Sequence, residues 1–296
     1  MAAVLDLLVI GDCNPDVLVA GADVVPEFGQ REKLVETGRL LVGGSASIFA
    51  CGAARLGLAV ALVAAVGDDA FGSFMLDAVR ERGVDTSRCP VVAGADTGLT
   101  VALVRDGDRA MLTAPGAIPL LTAEMVPPEL LASARHVHVA SYHLLDELRP
   151  GLPALVAAAH VSGATVSVNP QGEVGGDSGA ELRALVPAID LLLLNEREHE
   201  TLGTVEGPLV VVKHGAGGAE AHTAAGVVRA AGHRVEAVDT TGAGDSFDAG
   251  FLAAWLAGEP LEQALALGNA CGALSTRALG GITAQATMAE ARAAAA

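Results

Sequence analysis

The most specific chemistry in the chain is concentrated in Gly242-Ala243-Gly244-Asp245, within the run Asp239-Thr-Thr-Gly-Ala-Gly-Asp-Ser-Phe-Asp248. Two glycines between a β-like stretch and an apolar helical stretch put backbone N–H groups at a helix N-terminus. With no side chain in the way and the helix dipole behind them, those amides form an anion hole. Asp245 stands at its mouth. A carboxylate there can take a proton from a hydroxyl while the amides hold the phosphoryl group under attack. Read alone, Gly-x-Gly-Asp is equally an N-cap aspartate after a flexible turn. It is not the dinucleotide fingerprint, because Phe247 occupies the place of the third glycine.

The elements that must position this turn follow from hydrophobic periodicity. Short apolar runs at 5–10, 60–66, 137–140, 165–168, 191–194 and 209–212 read as buried strands. Helical stretches are expected at 45–56, 71–82, 152–160, 181–185, 196–202, 245–256 and 261–278, with an Ala-rich closing helix after 284. Segments 97–113 and 219–238 read as hairpins, the first turning at Arg105-Asp-Gly-Asp108, and 26–42 as turns and short strands. Strands alternating with helices predict a doubly wound α/β fold with a mostly parallel central sheet flanked by helices. Ligands in such sheets lie beyond the carboxyl ends of the strands. That draws attention to Asn14, Asp16, Asn169, Asn195, Lys213 and the 239–245 turn.

Composition excludes several classes. The chain has 296 residues, 51% apolar and 18% charged, enough for a sizeable core in one large domain. A formal net charge of -17 repels nucleic-acid backbones and anionic membrane surfaces, so neither partner is expected. Any nucleotide site must be locally favourable against that field, as a bound divalent cation would make it. The only lysines are Lys33 and Lys213, and neither follows a glycine, so a Walker-type phosphate loop is absent. Cys13, Cys51, Cys89 and Cys271 form no Cys-x-x-Cys pair and read as reduced, mostly buried thiols of a cytoplasmic protein. The opening residues lack a basic leader segment, and no apolar run is long enough to span a membrane.

The 239–248 run, continued by Ala249-Gly250-Phe251, resembles the C-terminal signature of the ribokinase-like (PfkB) carbohydrate kinases. The resemblance extends along nearly the whole chain in order. Gly11-Asp-Cys-Asn-Pro-Asp16 is similar to the end of the family's first strand, and Gly43-Gly44-Ser45 with Ala53-Ala-Arg-Leu-Gly57 to its N-terminal signature. Gly67-Asp-Asp-Ala-Phe-Gly72 resembles Gly-x-Asp-x-x-Gly, and Asn195-Glu-Arg-Glu198 the Asn-x-x-Glu motif. Lys213-His-Gly-Ala-Gly217 falls at the nucleotide-side loop.

The resemblance implies an ATP-dependent kinase with Asp245 as catalytic base and Gly242, Ala243 and Gly244 as anion hole. Asn14, Asp16, Gly43, Gly44 and Ser45 would hold the acceptor, with Arg109 in reach of it. Lys213, Gly215, Gly217, Thr241 and Asn269 would border the nucleotide. Asn195 and Glu198 would organise Mg2+ through water, and Asp239 and Thr240 a monovalent cation such as K+. A small β-sheet lid from about 14–44 and 97–118 would exclude water and form a homodimer contact. One departure stands out. Where the family has an acceptor-contacting Asn, this chain has Ile48, which cannot donate to a sugar hydroxyl.

Other clusters have structural readings. His136 and His138 share a strand face near His143 without a carboxylate or thiol to complete a metal site. One of Asp68 and Asp69 is expected to cap the following helix. Three functions compete: a sugar kinase, a nucleoside kinase of the same fold, and a non-catalytic sugar or nucleotide sensor. The sensor predicts a damaged base or anion hole, and both motifs are intact.

Overall fold

The computed structural model describes residues 5–105, 108–172 and 176–296. The first half contains β1 (Leu5–Ile10), β2 (Pro15–Ala20), β3 (Thr37–Val42), α1 (Ser45–Arg55), β4 (Val60–Val63), β5 (Val66–Gly67), α2 (Ala70–Glu81), β6 (Val91–Val92), β7 (Leu99–Arg105), β8 (Asp108–Ala114), α3 (Pro128–Ser133) and β9 (Ala134–Val139). There follow α4 (Leu152–Val161), β10 (Thr165–Val168), α5 (Gly176–Leu185), β11 (Leu191–Asn195), α6 (Glu196–Leu202), β12 (Leu209–Lys213), β13 (Gly218–Thr223), β14 (Gly226–Ala231), α7 (Ala243–Leu256), α8 (Leu261–Ser275) and α9 (Met288–Ala295).

The central sheet runs β14-β13-β12-β11-β10-β9-β1-β4. Its strands from β4 to β12 are parallel, and β13 and β14 add an antiparallel edge. Both faces are covered, which is why the strands read as continuous apolar runs. On β1, Leu7 and Val9 enter one core with Phe49 of α1, Phe251 of α7 and Leu265 of α8. Leu8 and Ile10 enter the other, with Leu131 of α3, Leu152 of α4, Leu182 of α5 and Leu202 of α6. The strand order reverses between β1 and β9, so the crevice at their carboxyl ends is the topological switch point. Only glycine fits at its floor. A Cβ on Gly11 would lie 2.6 Å from Ala46 Cβ and 2.7 Å from the Ala140 carbonyl oxygen.

A second sheet, β3-β2-β7-β8, stands apart from the first. Its strands come from the two segments expected to form it, but β2 at 15–20 precedes the 26–42 stretch, of which only 37–42 is strand. The expected turn residues Asp106 and Gly107 lie outside the described residues. The expected strand at 60–66 is two. After Val63 the chain leaves β1, and Val66–Gly67 pairs with Val91–Val92. The expected hairpin at 219–238 ends at Ala231, because Gly232 passes so close to the loop before β13 that its Cβ position is 2.7 Å from the Ala216 carbonyl carbon.

The abundance of small residues has a packing consequence. A Cβ on Gly268 of α8 would meet Phe247 of α7 at 2.9 Å, and one on Gly250 of α7 would meet Cys271 Sγ at 2.7 Å and the Leu267 carbonyl oxygen at 2.9 Å. The two helices therefore approach too closely for any larger residue at these points, and α7 carries the candidate base. Gly250→Ala is expected to destabilise the protein by about 1–3 kcal/mol through overpacking, read as a lowered urea midpoint with an unchanged slope.

Candidate active site

Gly44, the residue before α1, adopts φ 75° and offers no side-chain cap. The cap comes instead from the end of β1. Asp12 accepts from the amides of Ser45 at 3.1 Å (Oδ2) and Ala46 at 2.8 Å (Oδ1). This fixes Ser45, whose hydroxyl donates to Asp245 Oδ1. Gly242 begins α7 at φ 69°, in the left-handed region, and a Cβ there would lie 2.7 Å from Ile48 Cγ2. The Ala243 amide turns back to the Thr240 carbonyl at 3.3 Å. The open end of α7 is thus carried by the amides of Gly244 and Asp245, which have no i−4 partner by construction.

Asp245 is 4% exposed. Burial pushes its carboxyl up to about 7, against the opposing Ser45 hydrogen bond. One helical turn on, Asp248 is fully buried. It accepts from Lys213 Nζ at 3.0 Å (Oδ1) and 2.9 Å (Oδ2), and from Asn169 Nδ2 at 2.6 Å. Burial works against the Lys213 charge, but Asp248, Glu198 and Asp245 outweigh it and hold its ammonium above the usual lysine value.

A second group of buried polar side chains, Asp12, Asn14 and Asp16, follows β1. Asp16, on β2, sits against Gly43, where any Cβ would overlap its carboxylate. Burial and the neighbouring Asp12 charge raise Asp16 to about 7, while Arg109 pulls the other way. Asn14 donates to Thr100 Oγ1 at 3.3 Å. Arg109 reaches from β8 to Thr241 Oγ1 at 2.7 Å and stands 3.8 Å from Asp239. The second sheet therefore touches the anion-hole turn. Asp239 secures that turn, accepting from the Thr241 amide (2.9 Å), the Thr241 hydroxyl (2.7 Å) and the Gly280 amide (2.8 Å).

Behind the glycines opens a cavity of about 520 Å³. Lys213, Gly215, Thr240, Ala243, Gly244, Phe247 and Asn269 line it, together with His233, Arg234, Val235 and Ala237. Asp245 follows the cavity-lining Gly244 directly and is tied through Ser45 to the end of α1 that Asp12 caps.

Several expectations change in detail. Ile48, expected against the acceptor, packs on Gly242 and Gly281 and is 3% exposed, leaving little surface for a ligand. Ser45 contacts the candidate base. Gly217 and Thr241 fall outside the cavity lining, where Ala216, Gly218 and Thr240 stand instead. The Asn269 amide is engaged by the carbonyls of Ala230 and Ala231, at 3.2 and 3.0 Å. Sequence reasoning missed Asp12, Asp248 and the 233–237 stretch. The spacing of Asp245 and Asp248, three apart on a helix, was the available signal for one of them. His136 and His138 are buried and hydrogen-bond Thr165 and Ser167; burial drives the His136 pKa down to about 3, so the ring is neutral. Asp69 caps α2 through the Gly72 amide at 2.8 Å.

Asn195 and Glu198 form a reciprocal capping box on α6, with amide-to-side-chain distances of 2.9 and 2.8 Å, and Glu198 Oε1 also accepts from the Gly172 amide at 3.0 Å. Among the described residues no group of three or more His, Cys, Asp or Glu could hold a metal alone. Mg2+ prefers hard oxygens, keeps several waters and takes few protein ligands beside phosphates. Glu198 and Asn195 fit that use, with carboxylate and amide oxygens acting through water.

The sequence profile of the pfkB family carbohydrate kinases matches residues 4–288. The chain belongs to this family. It is a carbohydrate kinase, 35% identical over 280 residues to the ATP-dependent ribose-1-phosphate kinase of Halopiger xanaduensis, covering 91% of each chain. Its fold is that of the adenosine kinase from Sinorhizobium meliloti (TM-score 0.87, 25% identity, 99% and 100% of the two chains). An E. coli protein solved with ATP and Mg2+ is similar in fold (TM-score 0.84, 24% identity, 98% of each chain). No helix of this kinase, among the described residues, is long and apolar enough to cross a membrane.

The buried carboxyl has a consequence for stability. An ordinary aspartate titrates near 3.8, and Asp245 in the fold at about 7. The native state therefore keeps a proton that the unfolded chain releases between those values. The stability this contributes is full below the lower value and is lost as pH rises through the upper one. Asp245→Asn cannot ionise and escapes that loss. Urea midpoints from about pH 5 to about pH 8 should show the variant gaining on the wild type as pH rises.

Proposed function

We propose that the kinase transfers the γ-phosphoryl group of ATP to a hydroxymethyl oxygen of a sugar or sugar-like acceptor, with Asp245 as general base. The observation that carries this reading is the place of Asp245, buried in the first turn of α7 directly after the cavity-lining Gly244 and hydrogen-bonded to Ser45 of the Gly43-Gly44-Ser45 turn. With its pKa near 7, Asp245 is matched to proton abstraction at neutral pH. Asp16 and Asn14, with the Gly43-Gly44 backbone, hold the acceptor hydroxyls. The Gly244 and Asp245 amides receive the phosphoryl oxygens, and the β3-β2-β7-β8 sheet acts as a lid against water. Mg2+, held through water by Asn195 and Glu198, would neutralise phosphate charge. Leu40 and Leu112, exposed by 43% and 66%, lie in one cross-strand row on the same face of this sheet and support its use as a homodimer contact.

Arg109 bears on the acceptor class. It is a cation close enough to Asp16 to lower its pKa in a strongly acidic chain. The relative acting on ribose 1-phosphate has an anionic acceptor. A sugar phosphate therefore suits this pocket better than a neutral sugar.

The test is ATP turnover with Mg2+ against sugars, sugar phosphates, keto-acid sugars and nucleosides. Sugar phosphates are expected to give the highest kcat/KM. Asp245→Asn should lower kcat by about 10²–10⁴-fold, and Arg109→Gln should raise KM for a sugar phosphate more than for the matching neutral sugar. Turnover at background for every acceptor, or full activity of Asp245→Asn, sinks the reading, and turnover of nucleosides alone selects a nucleoside kinase. The same reading carries a monovalent-cation site at Asp239 and Thr240. Because Asp239 already braces the turn through three hydrogen bonds, omitting K+ is expected to lower kcat without abolishing it.

A further inference from the structure

Lys213 holds an unusual position for a residue that would merely border a nucleotide. It ends β12, and its side chain is 11% exposed. A Cβ on Gly244 would stand 3.7 Å from Lys213 Nζ, so the ammonium lies directly over the backbone of the anion-hole turn. Two of its contacts go to the carboxylate of Asp248, which is itself fully buried and held by Asn169. An ammonium has three N–H donors. Asp248 occupies one side of Lys213 and leaves donor capacity toward Gly244 and the cavity both residues line.

Resting on the kinase reading above, we infer that Lys213 is a catalytic residue that binds the γ-phosphoryl group during transfer, and that Asp248 and Asn169 are positioning residues that aim it. In the step, the acceptor oxygen forms its bond to the γ-phosphorus, and the bond from that phosphorus to the β–γ bridging oxygen breaks. The hydroxyl proton goes to Asp245, and ADP leaves with the bonding pair. Negative charge on the transferring group meets the backbone amides on one side and the Lys213 ammonium on the other. The buried Asp248 keeps the ammonium charged when the cavity is empty.

The chain's two lysines make a direct readout practicable. With 15Nζ-labelled lysine, Lys33→Arg leaves Lys213 as the remaining ammonium signal. That signal should shift with a non-hydrolysable ATP analogue and Mg2+, and much less with ADP and Mg2+. Lys213→Met should weaken the analogue by about 10–100-fold while changing ADP affinity far less, and lower kcat by about 10²–10³-fold. The double variant Lys213→Met/Asp248→Asn does not leave Asp248 buried without its lysine, so it repeats the binding test should the single variant fold poorly. Equal losses for analogue and ADP, or an unmoved Lys213 signal, would overturn the inference while wild-type turnover stands. Absence of nucleotide binding by the wild type would take down the kinase reading and the inference together.

Discussion

The architecture of the site depends on a single hydrogen bond, from Ser45 in the first turn of α1 to Asp245 in the first turn of α7. It joins two helix N-termini, whose dipoles both favour negative charge in the space between them. Neither helix caps itself there: Gly44 and Gly242 are glycines with positive φ and no side-chain cap. The α1 N-terminus is completed by Asp12 from beyond the end of β1, whereas Asp239 braces the turn before α7 and leaves the first amides of α7 open. The absent side chains are what let backbone amides face a ligand. The cost is that the turn must be held by other residues, and Ile48, packed under Gly242 and Gly281, does part of this.

A second constraint is electrostatic. Asp12, Asp16, Asp245 and Asp248 are all 8% exposed or less, in a chain already carrying a net charge of -17. Burying a carboxylate is costly unless it is hydrogen-bonded or paired. The structure resolves each case differently. Asp12 accepts two helix amides, Asp248 takes the Lys213 ammonium against a burial that raises its carboxyl, and Asp16 and Asp245 are raised to about 7. Asp248 and Asp245 share one helix face and burial raises both carboxyls, but they differ in partner: the Lys213 ammonium is the first group opposing that rise at Asp248, and the Ser45 hydroxyl at Asp245.

Much of the fold was legible along the chain. The apolar runs at 165–168 and 209–212 are strands of a parallel sheet buried on both faces, and that pattern is local. What local pattern missed were places where distant segments decide the outcome. The stretch at 60–66 divides because 91–92 pairs with its second half. The hairpin after 218 stops where Gly232 meets the 216 loop, and this frees 233–237 to line the nucleotide-sized cavity. Nothing in His233-Arg-Val-Glu-Ala237 marks it as a cavity wall, since it has neither periodicity nor motif.

The sequence by itself determined the family, the glycine turn and the identity of the carboxylate beside it. These are contiguous residues whose chemistry follows from their order. Only the tertiary structure decided which charges meet. Lys213 and Asp248 are 35 residues apart, Asp12 and Ala46 34, and Ser45 and Asp245 200. Whether a buried carboxyl is paired, capped or left to titrate depends on the groups within a few ångströms of it. In a parallel sheet those groups arrive from the ends of separate strands, which sequence spacing does not bring together.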